Sequence, residues 1–162
     1  MKNIFDKAGF TLVELIIVMG ITSIFVVVLT DIFVSLTAAK LESEATAAVV
    51  EDGRFILARL TYDVERSTTI TTPLILGSSG STLVLNIGGT SHTYALSGEN
   101  LTLNNSSTTS NLNSNRTAIS GITFQKLGNS GTQTVRVTFT VTGQAVNQAP
   151  ISQTFSTTVA KP

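Results

Sequence analysis

Apolar residues run almost unbroken from residue 10 to residue 29, and Glu14 is the one charge among those twenty positions. A helix of that length rises ~30 Å, the thickness of a bilayer's hydrocarbon core. Beyond it the pattern becomes periodic. Phe33, Leu36, Leu41, Ala45, Ala48, Val49, Phe55, Ile56, Leu60 and Val64 recur at helical spacing, and no proline precedes Pro73. The spacing predicts one helix over residues 10–66, ~85 Å long if unbroken. Its first part, residues 10–30, is a membrane segment. Its second, residues 31–66, is an amphipathic stem with one face free to hold a sheet. Glu51 with Arg54 and Arg59 with Asp63 stand at the spacing of helical ion pairs. Gly53 interrupts the stem at a cost of about 1 kcal/mol relative to alanine, which predicts a close approach or a bend there.

After Arg66 the period changes to two. Val135, Val137, Phe139 and Val141 alternate with polar residues, the signature of a half-buried antiparallel strand. Leu83, Leu85 and Ile87 share one face of a strand over residues 82–87. Gly88-Gly89 then supplies a hairpin turn, and Tyr94 and Leu96 continue the next strand. Residues 97–100 form a second turn into Leu101-Thr102-Leu103. The polar stretch 104–117 reads as a loop. A second meander follows over residues 119–127, 133–142 and 152–160, turned by residues 128–131 and 143–150. The predicted class is α+β: a long N-terminal helix packed on an antiparallel sheet domain over residues 67–162.

Charge sharpens the boundary at residue 67. Between Asp31 and Arg66 stand seven acids (Asp31, Glu42, Glu44, Glu51, Asp52, Asp63, Glu65) and four bases (Lys40, Arg54, Arg59, Arg66). From Ser67 onward the only charges are Glu99, Arg116, Lys126, Arg136 and Lys161. The formal net charge is zero, which points to no polyanionic partner. There is no cysteine, hence no disulfide framework and no thiolate metal site. An enzyme is not indicated. The single histidine, His92, falls on a strand in phase with Tyr94, and Glu99 is the only carboxylate side chain after Arg66, so a paired-acid site is excluded there. A calcium site wants several carboxylates, which the domain lacks. No cofactor or metal is expected.

Ala8-Gly9-Phe10-Thr11-Leu12-Val13-Glu14, with a short basic leader before it and a clean apolar run after it, resembles the processing site of type IV pilins and pseudopilins. The resemblance implies a leader over residues 1–9, cut after Gly9 by a prepilin peptidase on the cytoplasmic side, and N-methylation of Phe10. It makes Glu14 the fifth mature residue, with a role in assembly. The whole-chain order of helix then sheet is similar to the same family. The hairpin over residues 94–101, the Ile122-Thr123-Phe124 strand and the closing Phe155–Val159 segment are most similar to minor pilins and J-type minor pseudopilins. One departure concerns the major pilins, many of which carry a helix-kinking proline. Here none occurs in the stem, so any such bend comes from Gly20 or from none.

The resemblance implies as partners the peptidase, other pilin or pseudopilin subunits, an inner-membrane assembly platform, and membrane lipid before assembly. It implies a single-pass protein with a cytoplasmic N-terminus and an exported domain, at the cell surface or in the periplasm once in a filament. Two simpler accounts compete. A cleaved secretory signal would end near Ala38 and Ala39, but its apolar run is usually shorter and gains nothing from an acid such as Glu14. A plain anchor explains the length but neither Gly9-Phe10 nor Glu14. An intramembrane carboxylate is costly and by default functional. Within a bundle of apolar helices it pairs with the positive N-terminal end of a helix, its own or a neighbour's. The alternative function is a membrane-anchored or filament-tip binding module, an adhesin or DNA-contacting domain. Four scattered bases without interleaved aromatics argue against nucleic acid.

Overall fold

The computed structural model describes residues 11–128, 133–143 and 149–161. The chain divides into two compact units, residues 1–40 and 41–162. The helix α1 is Leu12–Arg66. Nine strands follow: β1 Thr69–Thr72, β2 Ser79–Gly80, β3 Thr82–Ile87, β4 Thr90–Ser97, β5 Asn100–Asn104, β6 Thr109–Asn111, β7 Thr117–Gly128, β8 Gln133–Gly143 and β9 Ile151–Ala160.

In the first unit α1 buries nothing. Leu12, Ile24 and Phe33 are about as exposed as its other apolar side chains. The hydroxyls within this segment are satisfied locally: Ser23 donates to the Met19 carbonyl at 2.8 Å and Thr30 to the Val26 carbonyl at 2.9 Å. Such back-bonding leaves no hydroxyl in need of water.

In the second unit α1 has a defined inner face. Ala45, Val49, Gly53, Ile56, Leu60, Asp63 and Val64 are its buried residues, at spacings of three and four. Phe55 belongs to the predicted apolar series but is 53% exposed, because its neighbour Ile56 takes the inward position. Leu41 is likewise on the solvent side. The Arg59–Asp63 pair forms at 3.0 Å, whereas no ion pair joins Glu51 to Arg54 among the described residues.

The strands form two antiparallel sheets, ordered β1-β3-β4-β5-β6 and β2-β7-β8-β9. Alternation decides what each buries. Leu83, Leu85, Tyr94 and Leu101 from the first sheet, and Phe124, Val135, Val137, Phe139 and Val141 from the second, are fully buried with Ile56, Leu60 and Val64 of the helix. Gly88 and Gly89, both at positive φ, make the two-residue turn between β3 and β4. In β7 the register breaks between Ser120 and Thr123, so that Ile119 and Ile122, three apart, both face inward.

The stretch 104–117, predicted as a loop, contains β6. Thr109, Ser110 and Asn111 pair with Asn104, Leu103 and Thr102. No apolar alternation marks this strand, because all three of its residues are exposed. β1 and β2 are also absent from the sequence reading, being too short to show a period. The turns at residues 129–131 and 144–148 lie outside the described residues.

Gly53 is a point of close approach. A Cβ placed there would meet the Phe155 ring at 2.2 Å. Gly143 plays the same part at the end of β8, where a Cβ would lie 2.9 Å from Val49. Absent side chains let α1 sit close against β8 and β9.

Candidate functional site

Two places carry chemistry: the start of α1 and the polar contacts that bind the stem to the sheets. Thr11 caps the helix. Its Oγ1 accepts the Glu14 N–H at 3.2 Å, and its carbonyl accepts the Leu15 N–H at 3.1 Å. Thr11-Leu12-Val13-Glu14 is thus the Thr-x-x-Glu arrangement of a helix start. Glu14 lies in the first turn, where a negative charge is favoured by the helix dipole. Its side chain is exposed, and among the described residues no hydrogen bond or ion pair reaches its carboxylate. Gly9 and Phe10 lie outside the described residues.

From Leu12 to Leu36 large apolar side chains are exposed on every side of the helix. This segment is long and apolar enough to cross a membrane, the one such helix among the described residues. A helix that is apolar all round belongs inside something apolar.

The second place centres on Asp63, which is 1% exposed. Arg59 Nε donates to its Oδ2 at 3.0 Å, and the Tyr94 hydroxyl donates a short hydrogen bond to the same oxygen. His92 Nδ1 lies 4.0 Å away. A carboxylate this buried needs such partners, because an unpaired one would cost several kcal/mol. Burial first, and then the hydrogen bond to Asp63, push the Tyr94 phenol well above its ordinary value. Tyr94 is therefore a fixed donor at neutral pH and not a base. The cluster locks the stem onto β4. Of its members only the Arg59–Asp63 spacing was legible in the sequence. Tyr94 continues a strand pattern in the sequence, and nothing local tells that its hydroxyl ends on a helix 31 residues away.

Asp52 makes a second lock. Its Oδ2 accepts from the Ser114 N–H at 2.9 Å, the Ser114 hydroxyl at 2.8 Å and the Thr117 hydroxyl at 2.5 Å. Asn113, 7% exposed, accepts the Leu101 N–H at 2.9 Å and donates to the Thr117 carbonyl at 2.9 Å. Glu44, Glu51, Asp52, Ser114, Asn115 and Arg116 line a shallow cleft of about 340 Å³ beside this lock. Lys126, 5% exposed, has its ammonium on the carbonyls of Ile70 and Leu74 at 3.1 and 3.4 Å, which holds the turn after β1. Among the described residues no group of three or more His, Asp or Glu side chains is placed to hold a metal.

Residues 4–30 match the family described as the prokaryotic N-terminal methylation motif. The match covers the Gly9-Phe10 junction, Glu14 and the apolar run. It supports a type IV pilin-like, prepilin-processed chain and, with the apolar helix, a single-pass membrane anchor. Members of such a family are structural subunits. Neither the curated proteins nor the solved structures offer a match to the chain.

Proposed function

We propose that this chain is a structural subunit, of the minor class, of a type IV pilus or a related type II secretion or competence filament. The observation that carries the proposal is one of continuity. The segment matching the methylation motif runs into a helix capped by Thr11, apolar on every face and long enough to span a bilayer. Such a helix needs lipid before assembly and other apolar helices after it, since either environment hides the same surface.

In this reading a prepilin peptidase cuts after Gly9 and methylates Phe10. Cleavage creates an α-amine on Phe10, four residues before Glu14, at the positive end of the helix. Glu14 has no partner within the described chain, which leaves its carboxylate for the amine of its own or a neighbouring subunit. A pair between subunits sets their axial register, because in an apolar bundle an unpaired charge is expensive. The domain of residues 67–162 is exported, and the assembly platform of the inner membrane lifts the subunit into the filament.

Co-expression with a prepilin peptidase tests this directly. The mass of the chain should fall by residues 1–9 and rise by one methyl group on Phe10. Cleavage after Ala38 or Ala39 instead would replace the filament subunit with a secreted soluble protein.

A further inference from the structure

Four strands lie at sheet edges: β1 and β6 in one sheet, β2 and β9 in the other. Three of them are blunt. β2 has two residues and β6 three. β1 has four, carries a register break and runs into Pro73. β9 differs: it has ten residues, pairs with β8 in unbroken register, and contains neither charge nor proline. Long edges are ordinarily guarded by lysine, proline or a bulge, because their outward N–H and C=O groups template another strand.

The ladder shows which groups point outward. The Lys161 N–H donates to the Gln133 carbonyl at 2.8 Å. Antiparallel pairs alternate between bonded and non-bonded, so the odd-numbered residues of β9 bond β8. The even-numbered ones, Ser152, Thr154, Ser156, Thr158 and Ala160, turn their backbone groups away from it. The cross-strand hydroxyl pairs agree: Thr138 with Ser156 at 3.1 Å, Thr140 with Thr154 at 2.9 Å and Thr142 with Ser152 at 2.9 Å, all at non-bonded sites where side chains come closest. All five even residues are exposed, and among the described residues no strand covers this edge.

We propose that β9 receives an extended segment of another polypeptide as an added strand. A second copy of this chain does not fit. Pairing β9 with itself across a two-fold reverses one stem relative to the other, whereas anchors in one membrane need stems of one direction. That exclusion rests on the membrane reading given above; the edge itself does not. The remaining edges of a second copy have at most four residues and cannot cover ten. The neighbours fix the chemistry of the occupant. On the helix side stand Ile151 and Phe155, both half-buried, and buried Val159, with exposed Gln153 and half-buried Thr157 between them, so the occupant is apolar opposite the first three. On the outer side stand hydroxyls, with Arg136 Nε 3.4 Å from Thr158 Oγ1 and no carboxylate in β7, β8 or β9. The occupant is a segment of about five to ten residues, apolar and hydroxyl side chains alternating, with an acidic residue level with Thr158.

The test uses the full chain in detergent micelles and a synthetic peptide of alternating valine and threonine carrying one glutamate. Amide exchange resolved by residue should show Ser152, Thr154, Ser156 and Thr158 exchanging fast in the free chain and slowing when the peptide is added. The odd-numbered residues should stay slow throughout. Ser156→Pro removes an outward N–H and leaves the β8 ladder intact, so binding should weaken roughly tenfold or more with the fold unchanged. Arg136→Glu should reverse the preference between this peptide and one with lysine in place of glutamate. Even-numbered amides that stay fast in excess peptide, or undiminished binding by Ser156→Pro, overturn the proposal. So does efficient disulfide formation between two Ser156→Cys chains, in a protein with no other cysteine, since that places a second copy on the edge. None of these readouts depends on processing or filament formation, so this inference and the filament reading fail separately.

Discussion

Glu14 is the one charge of the apolar run and Tyr94 is a buried phenol beside a buried carboxylate, and the chain accommodates them differently. Glu14 is exposed in the first turn of α1 with its carboxylate unpaired among the described residues. Glu14→Leu removes the costly group, so membrane insertion and processing should be unchanged or improved. Incorporation should fail, with Glu14→Gln intermediate, when sheared filaments are compared with processed subunit left in the membrane. Wild-type filament levels for Glu14→Leu would reduce Glu14 to a first-turn acid. Tyr94 is buried and gives its proton to a hydrogen bond on Asp63. Tyr94→Phe should cost about 1.5–3 kcal/mol, the range for a buried hydrogen bond to a charged group. It should also change the alkaline limb of stability. Burial, then the Asp63 bond, raise the Tyr94 value in the fold. The unfolded chain therefore releases this proton first, near pH 10. The stability contributed is whole below that pH and is lost as pH rises above it. Urea melts at pH 8 and pH 10.5 should show a larger drop for the wild type than for Tyr94→Phe.

The helix and the last two strands meet where side chains are missing. Gly53→Ala should gain about 1 kcal/mol in helix propensity, yet its Cβ would fall 2.2 Å from Phe155, whose ring is stacked on Phe139 with centroids 5.7 Å apart. A net loss of about 1–3 kcal/mol is expected, as for other overpacked contacts. The pair Gly53→Ala with Phe155→Ala should be less damaging than the sum of the two single changes, because the second substitution removes the obstacle. Additive losses in thermal melts would mean that the ring moves aside freely. The sequence placed a close approach or a bend at Gly53, and the close approach is what the packing uses. Strand positions were legible where the alternation ran for five or more residues, as in β3 and β8. Two- to four-residue strands such as β1, β2 and β6 carry no period and exist only because a neighbour pairs with them.

At the scale of the molecule, the large apolar side chains of α1 from Leu12 to Leu36 are exposed, while the described residues from Leu41 onward carry one continuous core. A chain beginning at Ala38 should therefore be soluble, monomeric and cooperatively folded by circular dichroism. Phe139→Asp in that chain should abolish the transition, since Phe139 is fully buried and an unpaired charge there costs several kcal/mol. A well-folded Phe139→Asp domain would place the inward face of β8 on the wrong side. The sequence by itself determined the membrane-length segment, the processing-site resemblance at Gly9-Phe10 with Glu14, the stem, and the period-two strands, because each is written in consecutive residues as length, charge or alternation. Only the tertiary structure decided that the strands form two sheets, that Asp63 and Tyr94 share a proton contact across 31 residues, that Asp52 holds the polar segment after β6, and that β9 is an unguarded edge. Those facts depend on which segments become neighbours after folding, and a pairing between distant residues of ordinary type leaves no local mark in the chain.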